Sequence, residues 1–430
     1  MKNLTFKFHI LGRLATIAAL LFSAAILSFG NGLLNTVVGL RANLEEFSDL
    51  SIGLMTSGYF LGYIIGTYLC GKLVPRVGHI RCFTVFASLA SAMTLILVIH
   101  VGPITWIGAR IAYGACLAAL YMVMESWLNL VSENKERGQI LSFYMITVYL
   151  GIAASQGAIG FAAPSEFTLF ALASVLLSIA LIPVAASRTV QPRQKRGENF
   201  SLKELVKTSR LATAGVFTTG MINGSFWGLV PIYLSNIGMA DGTVGWFIAF
   251  QFIGGLVLQY PIGFLSDKTD RRIIIVTLML LSSAVSFYLY SMSYDGTTLA
   301  FGMFMAGAFF FGGINSTVHS LFIAHANDFL KPSQVVKASG GLLNVHALGA
   351  IVGPLVATIF ISQMGYGGLP FYTAVVAGIV FVFSTYRAMV GRAAPEGTQS
   401  DFVPIPRAGM WVASLVPGLG PKKDDKPPKN

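Results

Sequence analysis

Residues 50–81 read LSIGLMTSGYFLGYIIGTYLCGKLVPRVGHIR and residues 242–272 read GTVGWFIAFQFIGGLVLQYPIGFLSDKTDRR. Each is an apolar run of about twenty residues, the length a helix needs to cross the hydrocarbon core of a bilayer, closed by a short basic turn. The apolar character is continuous instead of alternating, which excludes a β-barrel and leaves helices to satisfy the backbone in lipid. Similar runs recur along nearly the whole chain, and the predicted spans are 13–38, 50–71, 81–100, 103–129, 138–162, 166–188, 209–236, 243–264, 273–292, 298–324, 338–363 and 369–391. Composition agrees, with 54% apolar and 11% charged residues against roughly 25% charged in a soluble domain. The first run, behind Lys2, Lys7 and Arg13, has the look of a secretory leader, but the many runs after it make it the first transmembrane helix.

Five inter-helix connections and the two chain ends hold 27 of the 29 Lys and Arg residues, leaving Arg41 in another connection and Arg110 inside a helix. The positive-inside rule makes these connections and both termini cytoplasmic. The net charge of +11 is thereby a matter of topology, and it gives no support to nucleic-acid binding. The bilayer is the partner the composition implies. The expected domains are a six-helix bundle over 1–188, a basic cytoplasmic linker over 189–208, a second six-helix bundle over 209–391, and a Pro- and Lys-rich cytoplasmic tail over 392–430 that reads as disordered. Cys70, Cys82 and Cys116 stand in apolar surroundings without metal-ligand or disulfide spacing, and no cofactor is expected.

The two opening stretches are related by an offset of 192 residues, 263 minus 71. At that offset Asn31-Gly32 falls on Asn223-Gly224, Phe60 and Gly62 fall on Phe252 and Gly254, and Gly71 falls on Gly263. Glycines are common in membrane helices because they permit close packing. The Asn-Gly coincidence and the repeated basic turn carry more weight. The expected fold is an all-α membrane protein of twelve transmembrane helices in two pseudo-symmetric six-helix bundles, an arrangement that lets two halves rock about a central site.

The turns Gly71-Lys72-Leu73-Val74-Pro75-Arg76-Val77-Gly78-His79-Ile80-Arg81 and Gly263-Phe264-Leu265-Ser266-Asp267-Lys268-Thr269-Asp270-Arg271-Arg272 resemble the G-x-L-x-D-R-x-G-R-R signature of the major facilitator superfamily. Pro75 replaces the acid of the first copy and Asp270 the second glycine of the second. The resemblance implies a conformational latch at the cytoplasmic face, carried here by Gly71, Arg76, Gly78, Arg81, Gly263, Asp267, Lys268, Arg271 and Arg272. Glu125-Ser126-Trp127-Leu128-Asn129, the stretch His319 to Asp328, and Gly340-Gly341-Leu342-Leu343 leading to Gly349-Ala350-Ile351-Val352-Gly353-Pro354 resemble the YcaD-type branch of bacterial facilitators. That likeness spans roughly residues 10–390 and implies the major facilitator fold, a bacterial inner membrane and a monomer, but no substrate.

An ionisable group in the hydrocarbon region costs about 3 kcal/mol or more, which makes the few present functional candidates. Arg110, in Arg-x-x-x-Gly114, resembles the arginine motif of proton-coupled facilitators; the alternative is snorkelling to the outer surface. Apart from Glu166 at the first position of its span, Glu125 is the only acid within a predicted helix, readable as an ion-pair partner of Arg76 or Arg81 or as a proton site. His319 stands close to the repeat-related position of Glu125 in the tenth helix, and His346 lies in the eleventh. Histidine titrates near neutrality and suits proton coupling, though packing histidines are as common. Neutral polar and aromatic residues supply a candidate solute pocket: Asn31, Asn35, Tyr121, Tyr144, Gln156, Asn223, Trp227, Gln251, Asn315 and Asn344, with Arg110 available to an anion. No Walker A loop is present, so this chain is not expected to drive transport with ATP or to act as an enzyme. The function expected is secondary active transport of a small solute by alternating access, coupled to protons. A multidrug-type exporter and a non-transporting sensor or scaffold remain open alternatives.

Overall fold

The computed structural model describes residues 2–133, 136–186, 202–292, 300–330 and 332–390. The expected tail and residues 189–201 of the expected linker lie outside the described residues. The long helices are α1 Lys2–Leu44, α2 Asp49–Val77, α3 His79–Ile99, α4 Pro103–Val131, α5 Arg137–Ser155, α6 Phe167–Ile179, α7 Arg210–Asn236, α8 Asp241–Lys268, α9 Arg271–Met292, α10 Ala300–Asn327, α11 Pro332–Met364 and α12 Gly368–Val390. A 3-10 stretch, Gln156–Phe161, continues α5, and a further turn, Leu181–Ala186, continues α6. Residues 202–208 of the expected linker form a short helix whose Leu205 is buried, packed on α7 and α11.

Among the described residues eleven helices are long and apolar enough to cross a membrane. The twelfth, α7, has the length at 27 residues but is diluted by Thr218, Thr219, Asn223 and Ser225, all of them buried. Local signals place the helix ends. Ser48 caps α2 by accepting from the Ser51 amide and Ser209 caps α7 by accepting from the Ala212 amide, satisfying backbone donors the helices leave open. Gly238 (φ 88°) and Gly365 (φ 69°) follow α7 and α11 in the left-handed region that favours glycine.

The two halves repeat one packing plan: α2 on α4 as α8 on α10, α1 on α5 as α7 on α11, and α3 on α6 as α9 on α12. The closest approaches are glycine against backbone. Gly62 lies on the Ile111 carbonyl and Gly114 on that of Tyr59, while Gly254 lies on the Phe309 carbonyl and Gly312 on that of Gln251. Tyr59 and Gln251 are 192 apart, but Gly114 and Gly312 are 198 apart, as are Ile111 and Phe309. Gly151 on the Ala25 carbonyl and Gly349 on that of Phe217 extend the 198 register to α5 and α11. The register changes between α9 and α10, where the connection of residues 293–299 is four residues longer than its counterpart 100–102, the remaining two residues falling at the flanking helix ends. This corrects one expectation: in the packed register His319 answers to Tyr121 (319 minus 198), and Glu125 answers to Ile323.

The halves meet along α1·α7, α2·α11 and α5·α8. Asn236 donates to the Asn43 side chain at 2.7 Å and Ser57 to the Ile351 carbonyl at 2.6 Å. Gly39 lies against Gly228 and Pro231, Gly53 against Pro354 and Thr358, and Gly245 against the Gln156 carbonyl. In chain position these contacts cluster toward the C-termini of α1 and α7 and the N-termini of α2 and α8. They form a seal at the end of the molecule opposite the two basic turns.

Candidate functional site

Two chambers lie between the bundles on the basic-turn side of that seal. The smaller, about 490 Å³ of space between atoms counting the part open to solvent, is lined by Thr36 of α1, Asn223, Phe226 and Trp227 of α7, Gln251 and Phe252 of α8, and Ser316 of α10, among others. The larger, about 770 Å³ on the same measure, has Asn31, Tyr59, Tyr63, Tyr121, Tyr149 and His346 among its lining. Trp227 and Phe252 border both, edge to face with ring centroids 5.2 Å apart, and Phe252 meets Tyr149 across the bundle boundary at 5.8 Å. These three rings form a partition between the chambers. Among the described residues, no Asp, Glu, Lys or Arg lines either one.

Of the expected pocket residues, the structure brings Asn31, Tyr121, Asn223, Trp227 and Gln251 to the chambers. The others sit elsewhere. Gln156 belongs to the seal, with Thr36 donating to its side-chain Oε1 at 2.9 Å. Asn315 turns toward α9, where Ser282 donates to it at 3.1 Å. Tyr144 donates to Glu125 at 3.2 Å, and Asn344 is half-buried off the chamber walls. The lining residues Tyr59, Tyr63, Tyr149 and Phe252 were not marked as pocket residues by sequence, because an aromatic in an apolar helix carries no mark of whether it faces lipid, core or cavity. The 192-residue repeat that pairs Tyr59 with Gln251 was the one available signal.

Arg110 neither snorkels nor reaches the chamber. It is 4% exposed, donates through Nη2 to Asn35 Oδ1 at 2.6 Å, and lies over the Tyr59 ring at 4.6 Å. Asn35 in turn donates to Asn31 Oδ1 at 2.9 Å, and the Tyr113 hydroxyl donates to the same oxygen at 3.3 Å. A buried cation thus fixes the chamber-facing Asn31 from behind. Arg110→Lys keeps the charge but loses the planar fork, and is expected to cost about 1.5–3 kcal/mol, the range for a hydrogen bond to a charged group, read as a lowered unfolding midpoint of the purified protein.

In the second half His346 lines the larger chamber and His319 stands fully buried behind it, ring centroids 4.3 Å apart. Thr219 directs its hydroxyl proton to the Val216 carbonyl at 3.0 Å, so its oxygen accepts from His319 Nδ1 at 3.1 Å and lies 3.5 Å from His346 Nδ1. Glu125 is fully buried one helical turn beyond Tyr121.

At the basic turns the halves differ. Arg271, 1% exposed, pairs with both oxygens of Asp328 at 2.7 Å and with Asp267 at 3.0 Å, joining α8, α9 and the residue after α10. Arg272 holds the Asp270 carboxyl below its ordinary range through charged hydrogen bonds of 2.7 and 3.1 Å. Lys268 lies over the Phe264 ring. In the first half the position of Arg271 is His79, which meets Ser126 at 3.0 Å and packs near Trp127. Arg76 and Arg81 are exposed, Gly71 approaches only Met122, and Gly78 takes φ 86°. Gly263 is buried within α8. The acid-to-base pairing of the expected latch therefore runs within the second half.

The family model described as Major Facilitator Superfamily matches residues 20–239 and again 212–416. An uncharacterised MFS-type transporter of Yersinia enterocolitica is 26% identical over 369 residues, 85% of this chain and 91% of that protein. The uncharacterised MFS-type transporter YcaD of Escherichia coli O9:H4 is 26% identical over 337 residues, 78% of this chain and 86% of that protein. Among solved structures, the nucleoside transporter NupG superposes with a TM-score of 0.69 at 13% identity, covering 88% of this chain and 99% of that one. A D-xylose-proton symporter gives 0.66 at 13%, covering 90% and 98%. With its family model matched across both halves, the chain belongs to the Major Facilitator Superfamily.

Proposed function

We propose that this protein is a secondary active transporter that carries a small uncharged solute across a bacterial inner membrane by alternating access, coupled to protons and acting as a monomer. The observation that carries the reading is a two-chambered cavity between pseudo-symmetric bundles, with inter-bundle contacts closing the end opposite the basic turns. With the basic turns cytoplasmic by the positive-inside rule, the seal is periplasmic and the conformation is inward-facing. Coupling is assigned to the Thr219, His319 and His346 cluster, where one proton at a time is accommodated because like charges on adjacent imidazoles repel. Glu125 and Tyr144 form a second proton site nearer the cytoplasm. The lack of Asp, Glu, Lys and Arg among the described wall residues favours uncharged cargo over an anion, since Arg110 stands off both linings with its Nη2 on Asn35.

The test uses proteoliposomes holding a pH-sensitive dye, screened first with nucleosides and pentoses, the chemistries named for the two structural neighbours. A solute that moves protons only in one gradient direction identifies coupling. His346→Gln is expected to abolish solute-dependent proton flux while leaving solute counterflow. Undiminished proton flux removes the histidines from the mechanism. Cysteines at Asn43 and Asn236, joined by a short bifunctional reagent, are expected to stop transport by locking the seal, and transport that continues after complete cross-linking contradicts alternating access.

A further inference from the structure

The two chambers differ in chemistry, and the repeat that relates the halves is broken at its most symmetric polar pair. Asn31 and Asn223 occupy equivalent places, but Asn31 is held by Asn35 and Tyr113, whereas the Asn223 amide nitrogen is buried without a hydrogen-bond partner. Asn223 is 5% exposed and lines the smaller chamber, where Thr36, Gln251 and Ser316 add polar groups. The larger chamber is walled mainly by aromatic and aliphatic groups, and there the Tyr63 hydroxyl, 8% exposed overall, is likewise buried without a partner. A buried donor left unpaired is costly and rare in folded proteins, so both atoms mark places where a ligand completes the hydrogen bonding.

We infer that the chambers form one bipartite site for an uncharged, flat, two-ended solute: an acceptor group such as a carbonyl oxygen binds the Asn223 amide, an aromatic body crosses the Trp227–Phe252–Tyr149 partition, and a second polar group meets the Tyr63 hydroxyl. The inference rests on the transporter reading for its purpose but not for its binding chemistry. Edge-to-face rings of the partition accept a flat body by stacking. No Asp, Glu, Lys or Arg among the described residues lines the walls, so a charged analogue loses its hydration without a fixed counter-charge to compensate it.

Calorimetric titration of the purified full chain with three matched probes tests this. They are 4-hydroxyacetanilide, 4-ethylphenol, which lacks the carbonyl, and 4-hydroxyphenylacetate, which is anionic. The wild type is expected to bind 4-hydroxyacetanilide roughly five- to tenfold tighter than 4-ethylphenol, the worth of one hydrogen bond, and the anion most weakly. Asn223→Leu is expected to erase the gap between the first two while leaving 4-ethylphenol unchanged, and Tyr63→Phe to weaken both by a few-fold. Should Asn223→Leu also lose 4-ethylphenol, Asn223→Ala, which removes the amide without adding apolar bulk or a new donor, carries the same comparison. A gap that survives at position 223, or an anion that binds more tightly than the amide, overturns the inference. Counterflow of 4-hydroxyacetanilide in proteoliposomes separates the two claims: binding with the expected ranking but no flux counts against transport alone, and flux indifferent to Asn223→Leu counts against the site alone.

Discussion

Gly254→Val is expected to prevent stable folding. A Cβ at this position would overlap the backbone carbonyl of Phe309, with no flexible side chain to yield. The α8 and α10 backbones would have to separate along one of the two most extensive contacts of the second half. Overpacking of a well-filled core typically costs 1–3 kcal/mol, and a clash that must move a helix belongs at about 3 kcal/mol or above. In a membrane, where helix association depends on close packing of small residues, little else offsets that loss. The measurement is the monodisperse fraction on size exclusion and the unfolding midpoint. Gly62→Val, facing the Ile111 carbonyl, should behave alike, while Gly108→Ala, with open space around it, should be neutral or slightly stabilising. A well-folded Gly254→Val protein would mean that the two helices do not touch as described.

The second large effect is expected from Arg271→Met. It leaves the Asp328 carboxylate, 1% exposed, without the two 2.7 Å hydrogen bonds that compensate its burial. Breaking one partner of a buried pair typically costs 3–5 kcal/mol, whereas replacing both by apolar groups is often neutral. Arg271→Met combined with Asp328→Leu should therefore recover most of the loss, a non-additivity that a simple sum of two damaging changes would not produce. Asp267→Asn touches the more exposed arm of the network, 26% exposed, and should cost no more than about 1 kcal/mol. All four midpoints come from one thermal unfolding series. A double variant less stable than Arg271→Met alone would show that the ion pair is worth more than its apolar replacement at this position.

The fold was legible because bilayer physics writes it in length and continuity: a span such as His79–Ile99 needs no tertiary information to be recognised. The repeat was legible too, through Asn-Gly and the basic turns. Its register in α4, α5, α10 and α11 was not, because the length difference falls in a connection and only the glycine-to-carbonyl contacts reveal it. That is why Glu125 and His319 looked paired in sequence and stand a turn apart in packing. The candidate site was half legible. Asn31, Asn223 and Trp227 stand out as polar or bulky groups in apolar helices, but their partners do not. Nothing local to Arg110 says that it turns inward to Asn35, and nothing local to Asn315 says that it faces α9, since both depend on helix rotation fixed by distant neighbours.

The step of six between the halves has a practical side. The ancestral duplication has diverged in length around the α9–α10 reversal while keeping strict length wherever helices touch, so nature has already trialled an insertion there. An epitope or fluorescent reporter spliced into the sequence between Met292 and Ala300 is therefore expected to leave the unfolding midpoint unchanged.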